Sequence, residues 1–329
     1  MSKLPSAPIR FLGCSVACAA ALFAGMAAAE YPEKPIRIVT PFPAGSVADA
    51  VARPIAAHLA ETWSQPVVVD NRGGAGGTIA AEIVAKSPPD GHTLLIGANG
   101  PNAVNPSLIK NLPYDSQRAF AAITLAATTN FLLTVSLSMP VKSVRDLIDV
   151  ARSKPGQLRY ASPGIGSSPH LAGELFKSLA RVDMVHVAYK GSTQYLVDLL
   201  AGRIDLCICG AGPLLPHIRA GRLRLLAVGA GTRDPTLPGV PTISEEGVPG
   251  FEVVGWFGLL APAGTPATII RKLHAEVVRI LSQPSVKTIY LNGGLETATS
   301  SSPAEFAAFI RSERDKWAKV IKAANIRIE

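Results

Sequence analysis

Ile36-Arg37-Ile38-Val39-Thr40-Pro41-Phe42-Pro43-Ala44-Gly45-Ser46-Val47-Ala48-Asp49-Ala50-Val51-Ala52-Arg53 reads as a strand, a tight turn and the opening of a helix. Ile36, Ile38 and Val39 are β-branched and bounded by prolines, as in a short buried strand. Pro41, Pro43 and Gly45 break the extended run. Ser46 is a good helix N-cap, and Asp49, three residues on, is placed to satisfy free amides. Val47, Val51, Ile55 and Leu59 recur at i+4 and give one apolar face for packing on a sheet. Pro54 falls in the second turn, so a bend or a short first segment is expected there. Such a loop aims unpaired N–H groups and the positive end of a helix dipole at one point, where an anion fits. An ordinary capped βα turn has the same signature.

Outward from this stretch, Met1–Ala29 is read as a segment apart from the fold. Lys3 and Arg10 make a basic start, Phe11–Ala24 is an apolar run, and Ala27-Ala28-Ala29 supplies small residues before Glu30. That is the pattern of a secretory signal peptide cut after Ala29, which implies a periplasmic location. Cys14 and Cys18 lie inside it, without a convincing lipid-attachment motif. Removing Lys3 and Arg10 lowers the net charge from +8 to +6, mild and diffuse, which does not suggest nucleic acid. Only Cys207 and Cys209 remain, two apart in a strand and poorly placed for an unstrained disulfide, so free buried thiols are expected. Ala119–Val141 carries no charge, but its Thr, Ser and Asn residues and the closing Pro140 fit two consecutive buried strands better than a membrane span.

The remaining chain alternates strands and helices. Pro66–Val69 and Thr93–Gly97 read as strands. Between them lie the turn Asn71-Arg72-Gly73-Gly74-Ala75-Gly76-Gly77-Thr78 and a helix over Ile79–Lys86. The glycines lack the lysine of a phosphate loop and the dinucleotide spacing, so conformational freedom in a turn explains them. The polar loop Ala98-Asn99-Gly100-Pro101-Asn102 follows the third strand. Ser143 caps a helix through Ala151. A second copy of the opening pattern comes next: strand Leu158–Ala161, turn Ser162-Pro163-Gly164-Ile165-Gly166, and a helix opened by Ser167-Ser168-Pro169-His170, with Ser168 read as the cap before Pro169. Val185–Tyr189, Ile204–Cys209 and Leu223–Val228 continue as strands, and Gly191-Ser192 leads a helix to Ala201. Repeated βαβ units imply mostly parallel sheets flanked by helices, with ligands at the carboxyl ends of the strands. Arg233–Gly250 looks irregular, and Phe251–Leu260 returns to strand. Two capped helices follow, opening at Thr265-Pro266 and Ser302-Pro303, the second with Arg311, Glu313, Arg314, Lys316 and Lys319 on its charged side.

Little here suggests catalysis. Histidines 58, 92, 170, 186, 217 and 274 are scattered without ligand spacing, so neither metal nor cofactor is expected. Ser167 or Ser168 with His170 could serve as nucleophile and base only with a buried carboxylate to orient the ring, and none can be assigned. What stands out is the constellation: a strand, a Gly/Pro turn and a Ser-capped helix in each half of the chain. If each half is a lobe, two helix N-termini face one cleft, which suits a small carboxylate.

At this point the chain resembles the Bug (TctC) family. The resemblance rests on Tyr31-Pro32 through Ile38, Pro41-Phe42-Pro43-Ala44-Gly45 with Asp49, Asn71-Arg72 with Gly74-Ala75-Gly76-Gly77, Pro89-Asp90-Gly91, Asn105-Pro106 and Leu112-Pro113-Tyr114-Asp115. It continues in Tyr160-Ala161-Ser162, His170–Phe176, Val185-His186-Val187, Tyr189-Lys190-Gly191 and Trp256–Pro262, and spans the whole mature chain in order. It implies an α/β, two-lobed periplasmic binding protein of type II-like architecture, each lobe a mostly parallel sheet flanked by helices. The lobes are expected over 30–127 with 252–329 and over 128–251.

Carried over by position, the resemblance puts Phe42, Ala44, Gly45, Ser46 and Asp49 at the ligand from the first lobe, with Asn99. From the second come Ser162, Gly164, Gly166, Ser167, Ser168, His170, Tyr189 and Cys209. Gly and Thr are usual in the family where this chain has Ser46 and Ala48. Its frequent Asp-Asn is replaced here by Cys209-Gly210, which argues against an amino-acid ligand. The implied partners are a small carboxylate (di-, tri- or aromatic) and the membrane permease subunits of a tripartite tricarboxylate transporter, with the receptor acting as a monomer. A ligand-sensing protein acting on a signalling partner without transport is the alternative, and an exported enzyme a distant third.

Overall fold

The computed structural model describes residues 31–323 and residue 326. The signal-peptide expectation, with Cys14 and Cys18, lies outside the described residues. The first strand, β1 (Ile36–Thr40), leads through the Pro41–Ser46 turn into α1 (Val47–Trp63). Helix α1 runs unbroken through Pro54, so the short first segment offered as one expectation does not occur. The proline removes one bond, to the Ala50 carbonyl, and the helix holds because its inner face is fully buried. Val51, Ile55 and Leu59 have no exposed surface. Each such side chain contributes about 1.5–3 kcal/mol. Val47, read as part of that face, is instead only half-buried at the start of the helix.

β2 (Val67–Asn71) and β3 (Thr93–Ala98) flank β1 in parallel, with α2 (Thr78–Ala85) between them in the chain. A π-helical turn over Gly100–Val104 and a short α3 (Asn105–Leu108) occupy the polar loop after β3. The uncharged run forms one strand rather than two: β4 (Phe120–Ser136) is 17 residues long. It can be continuous because it serves two neighbourhoods. Phe120–Asn130 pairs antiparallel with β9 (Val254–Pro262), and Phe131–Ser136 pairs antiparallel with β7 (Leu206–Gly210) and β8 (Leu223–Val228). Three register shifts along β4 supply the extra twist this needs.

Around the second half of β4 the chain builds α4 (Val144–Ser153), β5 (Arg159–Ser162), α5 (Ser168–Ala180), β6 (Val185–Ala188), α6 (Ser192–Leu200) and α7 (Ala211–Arg219). β5 is parallel to both β6 and β7. Antiparallel β9 returns the chain beside β3. Pairing is therefore parallel where βα units repeat and antiparallel where β4 and β9 cross, a mixed sheet in an α/β fold.

The chain then adds α8 (Ala267–Ser282), α9 (Pro284–Asn292), the two-residue β10 (Glu296–Thr297) against β4, and α10 (Pro303–Ala323). Two of these helices were expected; α9, short and opened by Pro284, was not. On α10, Glu313 and Arg314 turn inward instead of joining the charged side. Glu313 Oε2 accepts from Asn99 Nδ2, Trp256 Nε1 and Trp317 Nε1 at 3.1, 3.2 and 3.3 Å. Arg314 donates to the Ser116 carbonyl. Among the described residues no helix is long and apolar enough to cross a membrane.

Candidate functional site

Four helix starts meet at one cavity. Ser46 and Val47 open α1, Ser168 and Pro169 open α5, Ser192 opens α6, and Gly210 precedes α7, and all line it. The first turn of each helix leaves backbone N–H groups without intrahelical acceptors, and its dipole adds partial positive charge. The cavity volume is about 60 Å³, and among the described residues no charged side chain lines it. Phe42, Phe131, Tyr195 and Phe257 supply rings to its wall. It lies where the two strand sets that share β4 come together.

The turns that carry the helix starts are locked by small-residue contact. Gly76 has φ +62°, and a Cβ there would lie 2.3 Å from the Ile165 carbonyl oxygen. A Cβ on Gly166, φ +77°, would lie 2.3 Å from Asn105 Oδ1. Gly191 meets Pro43 in the same way, at 2.7 Å. Only backbone fits between these turns, so Asn71–Thr78 and Ser162–Ser168 pack directly on each other.

Of the residues singled out from sequence, Phe42, Ser46, Asn99, Ser168 and Cys209 line the cavity. The others sit around it. Ala44 and Gly45 form the exposed crest of the first turn. Asp49 is 3% exposed and turned back into the protein, accepting from Gly45 N (2.9 Å), Arg53 Nε (2.8 Å) and Asn71 Nδ2 (3.0 Å). Burial opposes its ionisation, but those bonds outweigh it and hold the carboxyl below the usual range. Asp49 thus caps the turn and is spent on protein partners.

In the second turn, Ser162 Oγ contacts His186 Nε2 at 2.7 Å and accepts from Gly164 N. Gly164 and Gly166 face Gly76 and Asn105. The cap of α5 is Ser167, one residue before the expected Ser168, because its hydroxyl reaches the amide three positions on, His170 N. Ser167 also donates to the Gly164 carbonyl at 2.6 Å. The ring of His170 accepts from Gly166 N through Nδ1 and stacks on His186 with centroids 4.1 Å apart. The serine thus meets the backbone of His170, and no serine–imidazole bond forms between these residues. Burial pushes His170 down to about 4 and His186 to about 3, so both are neutral near pH 7. Tyr189 points away, donating to Asp198 Oδ2.

Sequence reading missed Ser192, although Gly191-Ser192 after a strand repeats the pattern of the other two helix starts. Its hydroxyl is buried with no hydrogen-bond partner. Helix α7 went unremarked because Pro213 and Pro216 sit within it; Pro213 falls in the first turn, where a missing N–H is harmless. Phe131, Tyr195 and Phe257 left no local signal, since distant chain segments bring them together. The expected buried thiols Cys207 and Cys209 are free and buried.

An α/β fold with converging helix starts around a small, charge-free cavity defines a binding protein for a small solute. Comparison with known proteins makes the class specific. Residues 51–326 match the tripartite tricarboxylate transporter family receptor, TctC, and the chain belongs to that family. A "UPF0065 protein in tcbD-tcbE intergenic region" of Pseudomonas sp. strain P51 is 41% identical over 292 residues, covering 88% of this chain and 86% of the relative. The structure of R. palustris Rpa4515 with adipate has a TM-score of 0.87 at 40% identity, covering 91% of this chain and 99% of that one. MatC (Rpa3494) from Rhodopseudomonas palustris with bound malate has a TM-score of 0.85 at 34% identity, covering 88% and 100%.

Proposed function

We propose that the protein is an extracytoplasmic solute-binding receptor that captures a small carboxylate in this cavity. It then delivers the ligand to the membrane permease subunits of a tripartite transporter. Among the described residues, 30–127 with 252–329 form one lobe and 128–251 the other, hinged near the point where β4 passes from β9 to β7 and β8. The lobes close on the ligand, and the protein works as a monomer in the periplasm after losing Met1–Ala29.

The observation that carries this reading is the convergence of four helix starts on one cavity, three of them bearing a serine there, Ser46, Ser168 and Ser192. The adipate and malate in related structures support the same ligand chemistry. A carboxylate accepting two or three charge-assisted bonds, at about 1.5–3 kcal/mol each, reaches micromolar affinity after ordering costs. No salt bridge is needed.

A thermal-shift screen of mono-, di- and aromatic carboxylates, followed by calorimetry, tests the reading. It expects at least one to raise the melting temperature by several degrees, with a Kd near micromolar. Scattering with and without that ligand should show a smaller radius of gyration when it is bound. No shift from any carboxylate would reject the reading.

A further inference from the structure

A second pocket, of about 150 Å³, lies where α10 crosses β4, β9 and the π-helical turn. It shares no lining residue with the cavity at the helix starts. Arg311 and Arg314 of α10 both line it, and residues three apart share a helix face. Arg314 is half-buried and donates through Nη1 to the Ser116 carbonyl at 3.2 Å. That bond spends one of the five N–H groups of a guanidinium. Neither arginine pairs with a carboxylate among the described residues.

The acidic residues close by in the chain are committed elsewhere. Asp115, in the loop beside Ser116, accepts from Gln117 N and Arg118 N at 2.8 and 3.2 Å, and meets the Arg118 guanidinium at 3.9 Å. Asp315 directly follows Arg314, and adjacent helix residues do not face each other. Burial pulls Arg314 below the usual arginine value, and Arg311 adds to the fall against Asp315 and Asp115. Asn102 also lines the pocket and is 1% exposed. Its Oδ1 accepts from Ala98 N at 3.0 Å, while its amide nitrogen has no hydrogen-bond partner among the described residues. Two guanidinium groups and a buried amide thus line one pocket without an anionic acceptor, and an oxyanion there would supply it. Phe120, Leu260 and Ile310 make another part of the wall apolar. An organic chain would cover these side chains, and a bare phosphate would not.

We propose that this pocket is a second binding site, for a short-chain organic carboxylate. Arg311, Arg314 and Asn102 donate to the carboxylate, and its chain lies against Phe120, Leu260 and Ile310. The site is independent of the receptor reading and of the first cavity.

A nuclear magnetic resonance titration of isotope-labelled protein with butyrate, and separately with inorganic phosphate, tests this. The Asn102 side-chain amide and the Gln117 backbone amide should shift saturably, with butyrate at least threefold tighter than phosphate. Arg311 is exposed and makes no bond, so Arg311→Gln should fold as wild type does. It should weaken butyrate at these two signals at least threefold, and Arg314→Gln at least tenfold. Signals of Ser168 and Ser192 report the first cavity separately and should respond alike in wild type and both variants. No saturable shift at Asn102 and Gln117, or equal affinity in wild type and Arg311→Gln, overturns the second site. Phosphate binding as tightly as butyrate overturns the assignment of an organic ligand. Neither result touches the receptor reading, which the first cavity carries.

Discussion

The turn after β1 and the turn after β5 are written in one grammar: strand, Pro and Gly, serine, helix. The protein uses them differently. In Pro41–Ser46 the acidic residue of the helix, Asp49, holds the turn from behind, and the capping serine lines the cavity and only accepts within the protein, so its own proton stays unspent. In Ser162–Ser168 the capping serine is consumed by Gly164 and His170, and the turn is braced by neutral stacked histidines and pressed against Gly76 and Asn105. The first turn thus presents a donor; the second is a packed joint with one free serine, Ser168, at its edge. What separates them is which group satisfies each hydroxyl, and that is decided by residues far away in sequence.

Breaking the joint should have the largest effect. Gly76→Ala puts a methyl 2.3 Å from the Ile165 carbonyl oxygen at a positive φ, and backbone cannot swing aside as a side chain can, so the two turns must separate. Affinity for the tightest carboxylate of the screen should fall about 100-fold, or about 2.7 kcal/mol. Gly45 also has positive φ (+77°), but an added Cβ there is 3.7 Å from Thr193 Cγ2. Gly45→Ala meets backbone strain of about 1–2 kcal/mol and no clash, so its loss should stay near tenfold. Equal losses by calorimetry would remove the distinction between the turns.

Acid should weaken the second turn and spare the first. His170 falls from an ordinary 6.5 to about 4 in the folded protein, through burial. Between those values the unfolded chain binds a proton that the folded one does not, so stability is complete above pH 6.5 and declines as pH drops toward 4. From pH 7.5 to 5, His170 alone accounts for about 2 kcal/mol, and His186 adds to it. Asp49 stays ionised across this window, so the first turn adds no slope. Denaturant midpoints against pH for wild type and His170→Leu check this. A slope unchanged in the variant would show that other groups cause it.

The capping serines come next. Ser46→Ala removes a cap, worth about 1 kcal/mol of stability, and also an unspent donor lining the cavity, so affinity should fall about tenfold. Ser167→Ala should lose similar stability while affinity stays within about threefold, because its hydroxyl is spent inside the turn. Paired melting and titration curves separate the two. Matching affinity losses would mean that the cap alone governs binding.

The sequence was legible wherever the determinant was local. Strand and helix succession, the caps at Ser46 and Ser143 and the free thiols follow from spacing, propensity and side-chain type. The family motifs brought Phe42, Ser46, Asn99, Ser168 and Cys209 to attention, and these line the cavity. Legibility failed where the determinant was tertiary. Nothing in Ala119–Val141 says that one strand will serve two neighbourhoods, since that depends on β7, β8 and β9 arriving from elsewhere. Pro54 reads as a break until the buried face of α1 is known. Ser192 is an unremarkable helix-opening serine until burial leaves its hydroxyl without a partner.

Ser168→Ala should have the smallest effect and discriminates most finely. On the sequence alone Ser168 was the cap of α5, and its loss would then cost both stability and affinity. With Ser167 as the cap, the alanine leaves the amide of His170 satisfied. Stability should therefore stay within about 0.5 kcal/mol of wild type, as for a substitution that breaks no protein contact. Any change appears in binding alone: losing one neutral hydroxyl donor to a carboxylate is worth about 0.5–1.5 kcal/mol, roughly threefold to tenfold. Affinity lost without stability marks Ser168 as a contact at the edge of the joint. Stability lost as well would return the cap to Ser168 and make the second turn a closer copy of the first.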